Sequence, residues 1–294
     1  MDTVSILMST YASELAHNLD QALETIYAQS VVPVQVVLVL DGPVAGDQEQ
    51  VISRFARDRR VPRLTIVRLP KNGGLAAALN AGLAHCIGEF TARMDSDDLS
   101  APDRIDLQLN YARHHPNIDV ITSWTEEFFD DGSPCQLKVS PIRHDAVVQA
   151  LRWRNILVHP SLFIRTETLR RVGGYRGRFG LLEDYDLFVR LAMAGATFHV
   201  IPKFLLRMRS SMAQRERRGG VAYLLNEIRF RAEWHRAGFL NTYQFIASTI
   251  IYVAFRAVSP WLRRRLYVLA RTGRETSKQP PLTRLPHNAG TVSQ

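Results

Sequence analysis

Hydrophobic residues in this chain fall into short unbroken runs that alternate with helical stripes. Val4-Ser5-Ile6-Leu7-Met8 carries no charge, as expected of a strand covered on both faces in a parallel sheet. From Ser13 to Gln29, the residues Leu15, Leu19, Ala22, Leu23, Ile26 and Tyr27 recur on one helical face, with Ser13 placed as the N-cap. Pro33 closes that unit, and Val34 to Leu40 is a β-branched run ended by Asp41-Gly42-Pro43. A polar stretch from Asp47 to Arg60 predicts a second helix, Leu64 to Leu69 a third strand, and Gly74 to Ile87 a third helix rich in Ala and Leu. Glu89 to Met94 predicts a fourth strand, which stops abruptly at Asp95-Ser96-Asp97-Asp98. Strands alternating with helices at this spacing predict an α/β fold with a parallel sheet and crossover helices. Ligands of such sheets bind beyond the carboxyl ends of the strands, so Asp41 and Asp95 are expected to face one crevice.

Later in the chain the pattern turns helical. Leu181 to Ala194 is amphipathic and opens with Glu183-Asp184. Val221 to Ala237 predicts a helix with Leu224, Leu225, Ile228 and Trp234 on or near one face. Tyr243 to Phe255 is strongly apolar, Pro260 breaks it, and Trp261-Leu262-Arg263-Arg264-Arg265-Leu266-Tyr267 follows. The nearly uncharged stretch Asn241 to Phe255 is too short to cross a bilayer, which takes about 20 apolar residues. Met1-Asp2 and the apolar run after it do not have the form of a signal peptide.

Composition changes the picture in one respect. With 294 residues, 46% hydrophobic and 22% charged, the chain is an ordinary globular protein long enough for a sizeable core. Its net charge of +9 is unevenly spread. Residues 203–294 carry a net +13 and residues 1–202 a net −4. A nucleic-acid binder that is basic throughout is therefore disfavoured. Cys86 and Cys135, the two cysteines, make no disulfide framework and fit a reducing cytosol.

Two nucleotide-binding classes drop out. Lys71-Asn72-Gly73-Gly74 is not a G-x-G-x-x-G fingerprint after the first strand, and no G-K-[ST] of a P-loop occurs. The acidic cluster is more informative. Asp95 and Asp97 lie two apart beyond a strand, where both carboxylates can aim at one point, and a hard divalent cation with a diphosphate would suit them. The same residues also read as an acidic turn, with Asp98 or Ser100 capping a helix begun by Pro102. Glu183-Asp184 likewise has two readings: favourable charge at a helix N-terminus, or a general base for an acceptor hydroxyl.

Taken in order, these pieces resemble the family 2 inverting glycosyltransferases with the GT-A fold. The resemblance runs from Val4-Ser5-Ile6-Leu7-Met8-Ser9-Thr10-Tyr11 through Val39-Leu40-Asp41-Gly42, Asn72-Gly73-Gly74-Leu75 and Ala78-Leu79-Asn80. It continues with Met94-Asp95-Ser96-Asp97-Asp98, His159-Pro160-Ser161, Gly173-Gly174-Tyr175 and Glu183-Asp184-Tyr185-Asp186-Leu187, covering about residues 3 to 210. It implies a Rossmann-like central, mostly parallel sheet flanked by helices, with a helical C-terminal extension. The catalytic domain would be 1–210, residues 1–100 holding the nucleotide and 101–210 the acceptor.

The resemblance also implies roles. Tyr11 would stack on the nucleotide base, Asp41 accept its hydrogen bonds, and Thr10 support the pocket, with Lys71 approaching the nucleotide. Asp95 and Asp97 match the D-x-D motif, Asp97 as the direct ligand of Mg2+ or Mn2+ and Asp95 nearer the ribose. Asp184 matches the catalytic base, with Glu183 as runner-up. Ser9 replaces a frequent Pro, and the loop Arg207-Met208-Arg209-Ser210-Ser211 through Arg215-Glu216-Arg217-Arg218-Gly219-Gly220 lacks the His that relatives often have. Arg209 is the residue there assigned to phosphate oxygens.

Other residues read as structure: Trp124 and Trp153 as partly buried aromatics that can also line the acceptor side, His159 as an ordinary hydrogen-bonded histidine, and Asp130-Asp131-Gly132 as a turn. In residues 211–276, Arg256, Arg263, Arg264, Arg265, Arg271 and Arg274 among Trp, Tyr, Leu and Phe suit a helix lying in a membrane interface. A helix pair packed on the catalytic domain is the other reading. Residues 277–294 are expected to be a disordered tail. The function expected is transfer of a sugar from a nucleoside-diphosphate sugar to a saccharide or lipid-linked acceptor, at the inner face of the cell membrane and without nucleic acid. A nucleotide-sugar-binding protein without catalysis and a basic nucleic-acid binder are the alternatives.

Overall fold

The strands read from the first hundred residues lie side by side in the order needed for a crevice at one edge. The computed structural model describes residues 3–58, 62–210 and 220–257. Strands β1 (Val4–Thr10), β2 (Gln35–Leu40), β3 (Arg63–Arg68) and β4 (Phe90–Arg93) pair in parallel in the order β3-β2-β1-β4. Helices α1 (Ala16–Tyr27), α2 (Gly46–Arg57) and α3 (Leu75–Leu83) make the crossovers. The runs lack charge because both faces are covered. Ile6, Met8, Val36 and Leu38 pack with Leu19, Leu23 and Ile26 of α1 and Phe55 of α2. Leu7, Val37 and Val39 point the other way, onto Ala78, Leu79 and Leu83 of α3. One cap differs from expectation. Ser13 does not cap α1, whose N-cap position is Leu15, and the Glu14 carboxylate instead accepts the Leu15 N–H at 2.9 Å and the Asn18 amide at 3.0 Å.

The second half mixes strand directions. It comprises β5 (Leu99–Ser100), α4 (Arg104–His114), β6 (Val120–Phe128), β7 (Gln136–Lys138), α5 (His144–Leu151), β8 (Phe163–Arg165), α6 (Thr166–Arg171), α7 (Glu183–Met193) and β9 (Phe198–Arg209). β8 runs antiparallel to both β4 and β6, β9 runs parallel to β6, and β5 runs antiparallel to β9. The result is one sheet ordered β3-β2-β1-β4-β8-β6-β9-β5, with β7 on β6. Neither Asp98 nor Ser100 caps the next helix: α4 begins at Arg104, and Ser100 lies in β5.

The extension begins with α8 (Gly220–Arg236) and α9 (Thr242–Ala257). The chain divides into one unit ending at Thr249 and another from Ile250. Phe230, Trp234, Phe239 and Leu240 belong to the same buried cluster as Phe179 and Tyr185. The buried stripe of α8 is rotated from the predicted one. Leu225 is exposed, whereas Glu227 and Arg231 are buried as an ion pair of 2.7 Å, a pair that pattern reading assigns to the outside. Among the described residues, no helix is long and apolar enough to cross a membrane. Residues 211–219 and 258–294, which include the loop arginines Arg215, Arg217 and Arg218 and most of the basic tail, lie outside the described residues.

Asn80 and the Gly173-Gly174-Tyr175 stretch of the sequence meet here. Asn80 of α3 accepts the Tyr175 N–H and donates to the Tyr175 carbonyl, both at 2.8 Å. From α7, Arg190 donates to the carbonyls of Val172 and Gly174 at 2.7 Å while paired with Asp186 at 2.7 Å. Gly174 has φ +63°, and a Cβ there would meet Asn80 Oδ1 at 2.3 Å, whereas the neighbouring Gly173 at φ +79° faces open space. Gly173→Ala should therefore cost only left-handed strain, about 1–2 kcal/mol. Gly174→Ala should cost more and lower Tm further, because it also breaks the Asn80 clamp; equal shifts in a thermal melt would count against that clamp.

Candidate active site

Parallel strands in register bring their carboxyl ends to one level. Thr10 lies opposite Leu40, and Leu40 opposite Arg68, while the Met94 N–H donates to Leu7 O at 3.1 Å. Thr10, Asp41, the loop after β3 and the acidic turn after β4 therefore open at the same edge. The Asp41 N–H donates to Thr10 O at 2.8 Å. Its carboxylate accepts the N–H groups of Gly73 at 2.7 Å and Gly74 at 3.0 Å, so Asp41 shapes the loop holding Lys71, which is exposed. Gly42 has φ +86°, and a Cβ there would meet Asn72 N at 2.7 Å, which is how closely turn and loop approach. Tyr11 is partly exposed, and its carbonyl accepts from Gln48 Nε2 at 3.1 Å. Gln48 also donates to Glu14 O, pinning the turn that carries Tyr11. It is fully buried within a helix that reads as polar, and the sequence reading missed it.

The acidic turn is held from below and from one side. Asp95, Asp97 and Asp98 each offer a carboxylate oxygen, and these lie within 4.8 Å of one another. All three are hard oxygen donors, the kind that Mg2+ and Mn2+ take. Asp98 is 1% exposed; burial first, and then the charges of Asp95 and Asp97, push its carboxyl well above the usual range. Its Oδ1 accepts the Arg209 N–H at 2.9 Å, and its Oδ2 is buried with no hydrogen-bond partner. That orphaned oxygen and the close grouping fit a cation.

Below the turn lies Arg93, 2% exposed and ion-paired through Nη2 to Asp95 Oδ1. Burial works against its charge, yet Asp95, Tyr175 and Asp98 together hold the guanidinium above its ordinary value. Arg104 of α4 donates to the Arg93 carbonyl at 2.8 Å, and burial lowers its own pKa to about 9. The signal for Arg93 is present in sequence as a lone Arg in an apolar strand, one residue before the run Asp95-Ser96-Asp97-Asp98, of which three are acidic.

Arg209 is held against the acidic turn by several partners. Its Nε donates to Asp97 O at 3.0 Å, its Nη2 to Gln21 at 2.8 Å and its Nη1 to Asp130, with the guanidinium 4.7 Å from the Phe128 ring centroid. This is the geometry of a brace for the acidic turn. The phosphate contact expected of it would require these bonds to be remade.

Across the crevice, α7 opens with Glu183, which is buried, and Asp184, which is partly exposed. Asn155 Nδ2 donates to Asp184 Oδ2 at 2.9 Å, and the Tyr185 N–H to Asp184 Oδ1 at 2.7 Å. Nothing in the sequence marked Asn155, since it sits in an irregular segment. The Tyr175 hydroxyl is buried 3.2 Å from His159 Nε2. Burial raises its pKa most, Arg93 opposes that, and Asp95 and Asp184 both add to it. One phenol thus feels the carboxylates of both motifs. His159 is kept well below its ordinary pKa by burial and by Arg93, hence neutral.

Comparison with known proteins agrees with this layout. A family model described as glycosyl transferase family 2 matches residues 5–173. The chain is 31% identical to an Escherichia coli UDP-Gal:alpha-D-GlcNAc-diphosphoundecaprenol beta-1,3-galactosyltransferase, over 90% of this chain and 94% of that one. It is 32% identical to the amylovoran biosynthesis glycosyltransferase AmsE of Erwinia amylovora, over 84% and 92% of the two chains. Its fold matches a mannosyltransferase of Pyrobaculum calidifontis, solved with GDP-Man and Mn2+, with TM-score 0.59, 20% identity and coverage of 92% and 79%. A mixed sheet with an acidic turn and a crevice at the carboxyl ends of its parallel strands defines a GT-A glycosyltransferase acting on nucleotide sugars. The chain belongs to glycosyl transferase family 2.

Replacing Arg93 by Met leaves three crowded carboxylates without their buried counter-charge. The expected loss is about 1–3 kcal/mol, less than for a fully buried pair because the Asp95 side chain is 34% exposed. In a denaturant-unfolding cycle with Asp95→Asn, the loss should shrink; simple additivity would mean that Arg93 does not act on Asp95.

Proposed function

We propose that this glycosyltransferase is an inverting enzyme that uses a divalent cation and acts on a saccharide linked to lipid through a diphosphate. The observation carrying the proposal is the pairing across the crevice of a fastened Asp184 carboxylate with the acidic turn, both felt by Tyr175. Inversion needs one displacement and one base. An acceptor hydroxyl oxygen attacks the anomeric carbon from the face opposite the diphosphate. The bond from that carbon to the diphosphate oxygen breaks, its electron pair leaves with the nucleoside diphosphate, and the acceptor proton passes to Asp184. Asn155 and the Tyr185 N–H fix the plane of that carboxylate. Glu183, buried one residue earlier, is the less accessible candidate.

On the donor side, Tyr11 gives a partly exposed ring for the base, Thr10 and Asp41 its floor, and Lys71 a positive charge at the loop. Mg2+ or Mn2+ held by Asp97 and Asp95 would supply positive charge for the departing diphosphate. The lipid-linked acceptor is proposed by analogy with the Escherichia coli relative, whose name gives such a substrate.

We further propose attachment to the cytoplasmic face of the membrane. In the first unit α9 leaves Tyr243 and Ile246 exposed; in the second, Ile250, Ile251 and Val253 are exposed. The sequence that follows is strongly basic, which suits anionic lipid.

Asp184→Asn should reduce sugar transfer by about 10²–10⁴-fold, the range for a general base, while the thermal shift produced by nucleoside diphosphate with Mn2+ stays as in the parent chain. Unchanged transfer would remove Asp184 from the chemistry, and a parent chain stabilised by no nucleotide with Mn2+ would sink the metal-dependent reading. For the membrane, the full chain should float with vesicles containing phosphatidylglycerol and be released by high salt. Failure to float at low salt would end the attachment proposal.

A further inference from the structure

The segment after α5 is fastened to α7 at two points. The Tyr185 hydroxyl donates to Leu151 O, and Asn155 donates to Asp184 itself. Trp153 lies between these ties, and Arg231 of α8 leans on its carbonyl at 3.4 and 3.5 Å. The backbone at Trp153 is therefore held two residues from the amide that binds the Asp184 carboxylate. Its ring is partly exposed and meets Tyr243 edge-on, with centroids 6.1 Å apart and planes at 78°. Tyr243 is 71% exposed, so little of that ring is used by the fold.

The other partly exposed indole on this half is a useful contrast. Trp124 packs on Phe204 at 5.7 Å and donates its indole N–H to Ser140 O at 3.1 Å, so packing and hydrogen bonding account for it. Trp153 Nε1 donates to no group among the described residues. Trp153 and Tyr243 thus form a corner of two aromatic surfaces near a right angle, with an open N–H donor and a phenol hydroxyl. A pyranose has the matching chemistry. Its C–H face lies against an aromatic ring, and its rim hydroxyls take N–H and O–H bonds.

We infer that Trp153 and Tyr243 form the acceptor subsite: they receive the terminal saccharide ring of the acceptor and hold it for Asp184. This rests on the reading of Asp184 as the base. It adds the residues that recognise the second substrate, which no D-x-D or E-D motif contains. Loss of either ring should weaken acceptor binding and leave donor binding alone, a split that a merely structural role would not produce.

The test uses the full chain, a water-soluble alkyl α-N-acetylglucosaminyl diphosphate as acceptor probe, and the nucleotide sugar that the parent chain turns over. Tyr243→Ala, on an exposed side chain, and Trp153→Ala should each raise the KM for the probe about tenfold or more, with the KM for donor changed less than about twofold. Trp153→Phe keeps the ring and loses the N–H, and should fall between parent and Trp153→Ala. Titrating the probe should also quench the parent's tryptophan emission, and the Trp153→Phe variant should lose most of that quench. An unchanged KM for the probe, a parallel rise in donor KM, or no binding of the probe to the parent chain would overturn the inference. Failure of the base reading looks different: Asp184→Asn would then transfer sugar as the parent does, whatever Trp153 does.

Discussion

Crowding of like charge at the end of a buried strand is the constraint around which this molecule is arranged. Three carboxylates within one short turn repel one another, and one of them is almost fully out of water. Such a turn persists only if positive charge and hydrogen-bond donors are built in around it. The chain supplies Arg93 from the strand below, Arg104 from α4 beneath that, and both the N–H and the side chain of Arg209 from the last strand. These supports come from segments more than a hundred residues apart. The mixed second half of the sheet exists in part to bring β9 back against the acidic turn.

The same logic of distant supports holds the other side of the crevice. Asp184 lies in the first turn of a helix whose Arg190, paired with Asp186, is fastened to the Gly173-Gly174 turn, and that turn is gripped by Asn80 of α3. One continuous set of bonds therefore runs from α3 through Tyr175 to α7. Hydrogen bonds to backbone carbonyls thus tie α7 to the Gly173-Gly174 turn, and Asn80 ties that turn to α3.

What could be read from sequence follows a physical division. Elements buried on both faces, such as Val4–Thr10 and Gln35–Leu40, were plain from uncharged runs, and the convergence of Asp41 with the acidic turn followed from the parallel order alone. The Asn72-Gly73-Gly74 and Gly173-Gly174-Tyr175 stretches were visible as motifs, but their reasons were not: the first is folded onto the Asp41 carboxylate, the second onto Asn80. Buried charge was the main blind spot. Pattern reading sends Arg93, Arg104, Gln48 and the Glu227–Arg231 pair to the surface, and each is inside because a specific partner meets it there. Arg209 is legible as a basic residue near the site, but its bonds to Asp97, Gln21 and Asp130 are not, since cross-sheet contacts of β9 leave no trace in local sequence. Asn155 had no signal at all.

The helix α8 was read as the start of an appendage, yet Phe230 and Trp234 finish the core on which Tyr185, and with it the Asp184 turn, is seated. A chain emerging from the ribosome can pair its four parallel strands once the first hundred residues are free. The seat of the Asp184 turn has to wait for Leu240. Each molecule thus passes through a stage of synthesis in which the parallel half of the sheet can form without the core beneath that turn, and the segment that ends that stage leads directly into the basic tail.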